Sequence, residues 1–457
     1  MTIDTLPDDV LLEIFDFYVD QARRHVEQWR ILVRVCRKWR IIVFGSPCRL
    51  KLQLLCDART PVRKMLGIWP PFPIVIRSWS PRSGEDNIIA ALEHNDRVCK
   101  IELEGVPSSL LEIFLAARQQ PFPVLTHLKI WLNIHDEAPI IPNSFLGGSA
   151  PRLQYLEFRG IPFQGLPKLL FSTTDLVTLI LLDIPHSGYF PPEAMVIALS
   201  ALTRLDSFHL EFRSPRSYPD GGRRRPPPPT RSVLPAVTCF NFNGVSEYLE
   251  DLLARIDAPH LDDLNISLFH QLIFDMPQLT QFISRTPNLR PPDEARVLFK
   301  ASKATVILPQ ISYRRVLLGI SCRQSDWLLS SLQQLCSSLL PLISSLEYLY
   351  IDNQDEDSEL LWHDDMENAQ WLELLNNFTT VKTLYLSWGI TRRIVSALQE
   401  LDWGRATEVL PSLQSLFLEE IDPLGPVPEG IDKFVAARQR SGHSVAVSRW
   451  DKGQVEL

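Results

Sequence analysis

The side chains of this 457-residue chain that could carry chemistry are its histidines, cysteines and paired carboxylates. The ten histidines are dispersed, and we interpret His127 and His209, which lie inside apolar strand-like windows, as strand side chains and not as bases. The neighbouring carboxylates Asp262 and Asp263 have no recognisable acid–base partner. The glycine-rich phosphate loop, the nucleophile elbow, the dinucleotide fingerprint and the zinc-ligand spacings are all missing from the sequence. The sequence therefore predicts a protein that is not an enzyme, with no catalytic residue and no cofactor.

A dense acidic segment, 352–367, contains eight Asp or Glu residues and His363 but no Lys or Arg. Carboxylates and a histidine are metal ligands, but the segment lacks the glycine-centred spacing of a calcium loop. We interpret it as an inserted acidic loop and predict no metal site.

A second inserted loop, 214–231, is rich in Arg and Pro and has almost nothing to bury. Arginine beside a short polyproline stretch suits docking into an aromatic-lined groove of another protein. A solvated insertion without a partner is the simpler interpretation, and we favour it.

Composition limits the class of protein. The net charge is −8, which gives no general attraction to nucleic acid, and the apolar runs are far shorter than the ~18 residues that a membrane span needs. The N-terminus is acidic and has no secretory apolar core. Seven cysteines are odd in number and dispersed without a CxxC pair, which is typical of reduced thiols. We expect a cytoplasmic or nuclear protein that binds neither nucleic acid nor membrane.

The first fifty residues predict short amphipathic helices with more apolar surface than they can bury on each other. Pro7 suits a helix start, and the acids that follow it complement the positive end of the helix dipole. Apolar residues then recur at helical spacing from Val10 to Tyr18, and again from Trp29 to Val43. Residues 1–20 carry six acids and no Lys or Arg, whereas 21–50 carry eight basic residues and one acid. The excess apolar surface must face the rest of the chain or a partner.

The run LPDDVLLEIF, followed by VCRKWR and its IIVFGSP tail, resembles an F-box over residues 1–50. That family is a trihelical module that docks onto the Skp-type adaptor of a cullin–RING ubiquitin ligase. One departure is the segment 19–28, which is longer and more charged than the usual middle of the module. The resemblance implies that the adaptor is contacted by Leu6, Pro7, Val10, Leu11, Ile14, Phe15, Leu32, Val35, Cys36 and Trp39. The alternative is that these helices only cap the domain behind them.

The body of the chain repeats one pattern, with apolar residues at positions i, i+3 and i+5. Helix-like stretches such as 108–118, 248–256 and 390–401 lie between the windows. Helical periodicity alone does not give this spacing, and we interpret each window as a strand whose apolar side chains enter a shared core. The windows begin at Val98, Leu125, Leu153, Leu176, Leu205, Val237 and Leu261, and after a gap at Leu346, Val381 and Leu413.

The pattern resembles an irregular leucine-rich-repeat solenoid, which implies an α/β fold with parallel strands on the concave side and helices outside. We predict an F-box at 1–50, a linker and cap at 51–97 with a first strand at 74–76, and the repeats at 98–450. Within the gap, candidate strands at 295–299, 305–308 and 316–320 and a helix at 326–335 are interpreted as two degraded repeats. Ordinary αβ units in a compact domain are the alternative to the repeats, and a domain break near 270–290 is the alternative to a continuous array across the gap.

Together these features lead to the hypothesis of a substrate-recognition subunit of an SCF-type cullin–RING E3 ubiquitin ligase. The F-box would dock the Skp-type adaptor, and the repeats would bind a client protein through outward strand positions such as Lys129 and Tyr350. The other hypothesis is a non-ligase leucine-rich-repeat scaffold whose N-terminal helices only cap the array.

Overall fold

The computed structural model describes most of the chain, and the structural statements below concern the described residues only. The chain divides into two compact units, the first formed by 1–190 and 197–205 and the second by 191–196 and 206–457. The described ranges are 6–21, 28–57, 62–78, 85–117, 120–133, 139–142, 144–162, 166–215, 230–269, 275–289, 292–300, 302–309, 315–322, 328–354, 368–401, 405–419 and 429–450.

Three helices open the first unit: α1 (Asp8–Gln21), α2 (Trp29–Val35) and α3 (Arg37–Gly45). Periodicity alone predicts one helix across 29–43, but Cys36 has extended backbone angles and separates α2 from α3. Its thiol accepts a hydrogen bond from the backbone N–H of Trp39 at 3.5 Å, so it caps the start of α3. Helix α1 packs against both α2 and α3.

The first unit continues as strands joined by helices, and its six strands pair in parallel and in chain order. The sequence predicts the strand at 74–76 but not β1 before it. The elements are β1 (Leu54–Cys56), α4 (Val62–Ile68), β2 (Ile74–Ser78), α5 (Glu85–Leu92), β3 (Val98–Val106), α6 (Ser108–Ala117), β4 (His127–Leu132), β5 (Tyr155–Arg159), α7 (Leu166–Ser172) and β6 (Thr178–Ile184). The division between the units falls inside α8 (Pro192–Ser200).

The first half of the second unit contains β7 (Ser207–Phe212), β8 (Ser232–Val233), β9 (Cys239–Gly244), α9 (Ser246–Leu253), β10 (Ile256–Asp257), β11 (Asp263–Phe269), α10 (Pro277–Arg285), β12 (Glu294–Lys300), β13 (Lys303–Pro309) and β14 (Arg315–Ser321). The second half contains α11 (Leu328–Ser338), α12 (Leu340–Ile343), β15 (Tyr348–Asn353), α13 (Asn368–Leu375), β16 (Thr383–Leu386), α14 (Trp388–Gln399), β17 (Ser415–Glu419), α15 (Glu429–Arg440) and β18 (Ala446–Trp450). Its main strands are ordered β7-β9-β11-β14-β13-β12-β15-β16-β17-β18, while β8 and β10 pair separately.

The repeated apolar windows are strands, as the sequence predicts, and the apolar side chains at positions i, i+3 and i+5 of all ten windows are buried. Seven windows also share one turn, in which the backbone N–H of the first leucine bonds to the carbonyl three residues earlier. Examples are Leu153 to Ala150 at 3.0 Å, Leu346 to Ile343 at 3.2 Å and Leu413 to Leu410 at 3.0 Å. A turn that precedes the buried strand in seven windows, with helices between many of the strands, is the repeating unit of a leucine-rich-repeat-like region.

The interpretation of the gap as two degraded repeats is wrong. Strand β13 runs antiparallel to both of its neighbours, β12 and β14. Strand β14 then pairs in parallel with β11, and β12 pairs in parallel with β15. The predicted strands exist, but they form an antiparallel excursion inserted into the parallel array. Most of the loop predicted at 214–231, most of the acidic segment 352–367 and part of the lengthened segment 19–28 lie outside the described residues.

Candidate functional site

The three N-terminal helices expose a row of large apolar side chains, which we call the N-terminal apolar face. Helix α1 contributes side chains three or four residues apart, with Ile14 42% exposed and Phe17 66% exposed. Helix α2 contributes Ile31 and Val35, which are one turn apart. Large apolar side chains open to water at helical spacing are a candidate surface for another protein. The members of the N-terminal apolar face are Val10, Ile14, Phe17, Tyr18, Ile31, Val35 and Ile41.

Of the residues expected to contact an adaptor, Pro7, Val10, Ile14 and Val35 are exposed and Leu6, Cys36 and Trp39 are half-buried. Leu11, Phe15 and Leu32 are not available, because they are buried inside the chain. The Phe15 ring packs on the Trp39 ring with centroids 4.6 Å apart. In this structure these buried residues hold the helices together, and their direct contact with an adaptor stays a prediction.

Sequence reasoning missed Phe17, Ile31 and Ile41. Phe17 lies one turn beyond Ile14 on the same face, so extending the heptad-like stripe would have found it. The sequence pattern treats 29–43 as one continuous helix and so does not predict that Ile31 is exposed. The break at Cys36 separates α2 from α3, so the apolar residues of the two helices face different directions than in one helix.

Polar contacts fix the helices beside this face. The Lys38 ammonium donates to the backbone carbonyl of Leu6 at 2.8 Å and pairs with Asp8 at 3.4 Å. The Arg40 guanidinium donates to the carbonyl of Val33 at 3.0 Å. Two of the basic residues of 21–50, Lys38 and Arg40, therefore join α3 to α1 and to α2.

A buried tryptophan attaches the helices to the first strands. Trp29 is 1% exposed, and its indole N–H donates to the backbone carbonyl of Gln53 at 2.9 Å. Its ring meets Trp69 and Phe72 edge-on, with centroids 5.2 and 5.4 Å away. The N-terminal apolar face is thus presented by helices that are anchored to the repeat region.

The strand side chains that point away from the helices form the outward sheet face, which in the first unit is a network of ion pairs. Glu102 accepts from Arg77 at 2.7 Å and from Lys100 at 2.8 Å, and these cations lower the pKa of its carboxyl against the effect of burial. Lys129, an expected client contact, pairs with Glu104 at 2.6 Å and lies over the Trp131 ring. Its charge is therefore already matched within the chain.

A histidine lies within the same network. The His127 ring stacks on Tyr155 with centroids 4.1 Å apart, and its Nε2 is 3.5 Å from a Glu102 oxygen. Burial, with a further contribution from Lys100, lowers the pKa of His127 to about 4, although Glu102 acts in the opposite direction. Tyr155 hydrogen-bonds Glu157, and burial together with that contact raises the pKa of the phenol. His127 is therefore neutral near pH 7.

In the second unit the outward face carries a row of stacked aromatic rings. Tyr350 and Tyr385 are cross-strand neighbours, with centroids 4.2 Å apart and planes 5° from parallel. Tyr385 stacks in turn on Phe417 at 4.7 Å. Trp450 stands at 75° to Tyr385, with centroids 5.4 Å apart, and its indole N–H donates to the backbone carbonyl of Leu386 at 3.4 Å. We call these four residues the aromatic row.

A cavity of about 460 Å³ opens beside the aromatic row, a size within the range of ligand pockets. The Arg296 guanidinium lies 5.1 Å from the Tyr350 ring centroid and bonds Glu294 at 2.8 Å. Burial, followed by the Glu294 charge, raises the pKa of Tyr350, so its phenol stays protonated as a donor. Among the described residues, the other charged side chains that line the cavity are Lys300 and Asp352.

A small polar cluster on β7 and β9 has the residue types of a nucleophilic site. The Ser207 hydroxyl lies 2.9 Å from Nε2 of His209, and the Asn241 amide lies 3.0 Å from the same nitrogen. In a catalytic triad, the third residue orients the histidine through the ring nitrogen that does not contact the nucleophile. Here the Asn241 amide contacts the same nitrogen as the Ser207 hydroxyl, so the two groups compete for Nε2. Burial and Asp263 raise the pKa of the nearby Cys239 thiol, which disfavours a thiolate nucleophile. This arrangement suits a hydrogen-bonding surface better than a catalytic centre.

The described ranges contain no group of three His, Cys, Asp or Glu side chains that could hold a metal ion. None of their helices is both long enough and apolar enough to cross a bilayer.

No family model matches the sequence, and no curated protein matches it. Among solved structures, the chain is similar to the leucine-rich repeat-containing protein LegL7 from Legionella pneumophila, with 13% identity over 86% of this chain and 98% of that chain. The TM-score is 0.26, which is too low to carry an argument. The description as a leucine-rich-repeat-like region therefore rests on the strand pairing, the buried windows and the shared turn of this chain.

Proposed function

We propose that this protein is a non-catalytic recognition subunit, which docks the Skp-type adaptor of a cullin–RING ubiquitin ligase through α1–α3 and binds a client protein through the outward sheet face. The observation that carries the proposal is the N-terminal apolar face. Its residues lie on helices whose own core is filled by Leu11, Phe15 and Trp29. The exposed apolar side chains are therefore not needed for that core and can contact a partner. The F-box resemblance supplies the identity of that partner.

The repeats support the second half of the proposal. Each strand presents alternate side chains on the outward face, and neighbouring strands align them in rows, which makes an extended surface suited to a macromolecule. The chemistry of ubiquitin transfer would belong to other subunits of the ligase.

The test is co-purification of the full chain with a purified Skp-type adaptor. Ile14→Asp and Val35→Asp each place a charge on the N-terminal apolar face without touching the core, and we expect each to weaken retention at least tenfold. Ile68→Asp is the matched control, because Ile68 is 63% exposed at the end of α4 and lies outside this face. Equal retention of native chain and both face variants, or no retention of the native chain, would refute adaptor docking.

A second candidate function is a scaffold without a ligase, in which α1–α3 only cap the array. The observation that favours it is the anchoring of Trp29 to Gln53, Trp69 and Phe72, which is what a cap requires. The same co-purification distinguishes the two candidate functions, because helices that only cap the array would not bind the adaptor.

We further propose a cytoplasmic or nuclear location. The support is that none of the seven cysteines, all of which lie in the described ranges, forms a disulfide, although Cys48 is exposed and Cys36, Cys99 and Cys239 are half-buried. Labelling of the thiols in protein isolated under alkylating conditions tests this, and disulfide-linked cysteines would contradict it.

A further inference from the structure

The cavity beside the aromatic row combines an apolar corner with a positively charged rim. Its corner is formed by Trp450 and the stacked tyrosines, while Leu298 and Ile307 continue the apolar wall. All of these side chains project from strands on the outward sheet face, opposite the buried strand positions. Tyrosine and tryptophan are enriched where proteins bind proteins, because each buries a large area with few rotatable bonds.

Among the described residues that line the cavity, the rim carries more positive than negative charge. These residues are Arg296 and Lys300 with a single acid, Asp352. Arg296 is held by Glu294, whereas the exposed Lys300 forms no ion pair with any residue in the described ranges. Lys303 lies directly across the β12–β13 pair from Lys300, and the two like charges repel each other. An anionic group bound here would relieve that repulsion.

Lys303 itself is held in place. Its side chain lies over Gly319, where an added Cβ would come 2.8 Å from its Cε, and the Glu211 charge acts on its ammonium. Among the described residues at this rim, the cation that remains available to a ligand is therefore that of Lys300.

We propose that this cavity is the client-binding site and that it takes an extended peptide segment with a bulky apolar side chain followed by carboxylates. The apolar side chain enters the corner that the Trp450 and Tyr385 rings form with each other, and a carboxylate pairs with Lys300. This inference rests on the proposed function, since it assigns the client to one part of the outward face and gives its chemistry.

The spacing follows from sheet geometry. Tyr385 and Lys300 are separated by two strand intervals and by four residues along the strand, which places their Cα atoms roughly 16 Å apart. The lysine side chain spans part of that distance, so the carboxylate should follow the apolar residue by roughly three to five extended residues.

The test is fluorescence anisotropy with labelled peptides and the full chain. The probe Ser-Gly-Trp-Gly-Ser-Glu-Glu-Gly places glutamates three and four residues after tryptophan. One control peptide has lysines in place of the glutamates, and another has glycine in place of the tryptophan. We expect the probe to bind at least tenfold more tightly than either control.

Variants of the protein localise the binding. Trp450→Ala should weaken binding of the probe peptide at least tenfold. Trp388→Ala, at an exposed tryptophan on α14, should leave the affinity for the probe unchanged. Lys300→Glu should reverse the preference, so that the lysine peptide binds better than the glutamate peptide. Lys168→Glu makes the same charge change at an exposed position of α7 and should change nothing.

Three results would overturn the proposal: equal binding of all three peptides, no loss of binding in Trp450→Ala, or no change of preference in Lys300→Glu. A fourth would be binding that appears only after the seven acids of segment 355–367 are changed to amides, since the same chemistry would then be supplied within the chain. Adaptor co-purification of the same variants keeps the two proposals apart, because Trp450→Ala and Lys300→Glu leave α1–α3 intact.

Discussion

The indole N–H of Trp29 donates a hydrogen bond to the backbone carbonyl of Gln53 at 2.9 Å, which joins the N-terminal helices to the chain just before β1. Residues 24 positions apart are thereby fixed together, with Trp69 and Phe72 closing around the ring. The exposed apolar residues of α1 and α2 consequently sit on a rigid base, and a partner that binds them is held in a defined position relative to the first repeats.

Removing this anchor should be strongly destabilising. Trp29→Ala takes a fully buried aromatic ring out of the core and leaves the Gln53 carbonyl without its donor, so we expect the free energy of unfolding of the first unit to fall by about 3 to 5 kcal/mol. Urea denaturation followed by circular dichroism measures it. Trp388→Ala, at a 45% exposed tryptophan, is the control and should change the stability by less than about 1 kcal/mol. A loss no larger than the control's would show that Trp29 does not anchor the helices.

Glu250 should stabilise the start of a neighbouring helix. Its buried carboxylate, on α9, accepts hydrogen bonds from the backbone N–H groups of Gln278 and Leu279, both at 2.8 Å, at the positive end of α10. Glu250→Gln removes the charge and one acceptor, and we expect a loss of about 1 to 2 kcal/mol in the free energy of unfolding.

Hydrogen exchange gives the local readout for this variant. The amides of Gln278 and Leu279 should exchange faster in Glu250→Gln, whereas Glu112→Gln, at an exposed position of α6, should leave them unchanged. Unaltered protection of both amides in Glu250→Gln would exclude the capping role.

The Arg438 side chain should stabilise the segment 406–413, which precedes β17. Its fully buried guanidinium donates to the backbone carbonyls of five residues, Ala406, Val409, Leu410, Pro411 and Leu413, at 3.1 to 3.3 Å. Arg438→Met leaves these carbonyls without that donor and should cost about 3 kcal/mol of stability. Arg438→Lys should recover only part of the loss, because an ammonium cannot reach as many acceptors in a plane. Arg440→Met, at an exposed position, is the control, and a loss equal to that control would contradict this role.

Acid should destabilise the first unit through His127. The groups that face its ring are Lys100, Glu102, Lys129, Arg77 and the stacked Tyr155. Its pKa is lowered to about 4 in the folded chain, below an ordinary value of 6.5, so between these two pH values the unfolded chain binds more protons. The free energy of unfolding therefore rises with pH across this window, by at most about 1.4 kcal/mol per pH unit for one group.

The matching variant is His127→Gln, which cannot titrate. Its free energy of unfolding should depend less steeply on pH between 4 and 6.5 than that of the native chain. His260→Gln is the control, since the His260 side chain lies in the turn before β11 in the second unit. Identical slopes for the native chain and His127→Gln would contradict the lowered pKa.

The sequence predicts the parallel repeats well, because the spacing of apolar residues within each window shows by itself which side chains are buried. Leu346, Leu349 and Ile351 are buried as the i, i+3 and i+5 spacing requires, and the helices predicted at 108–118 and 390–401 are found at Ser108–Ala117 and Trp388–Gln399. The direction of β13 could not be predicted, because alternation of apolar and polar residues is the same for parallel and antiparallel strands.

The candidate surfaces could be predicted less well from the sequence than the repeats. The exposure of Ile31 depends on the helix break at Cys36, which no periodicity reveals. The aromatic row depends on the cross-strand register that places Tyr350 beside Tyr385 and Phe417, 35 and 67 residues further along the chain. The five acceptors of Arg438 lie 25 to 32 residues before it and are backbone atoms, so no residue type marks them.

The most direct test of adaptor docking is site-specific photo-crosslinking. A benzophenone-bearing residue is placed at Ile14 in one protein, at Phe17 in a second and at Ile68 in a third, and each is irradiated with the purified Skp-type adaptor. We predict a one-to-one crosslinked product from positions 14 and 17 and none from position 68. Crosslinking that is equal at all three positions, or absent from 14 and 17, would contradict the account.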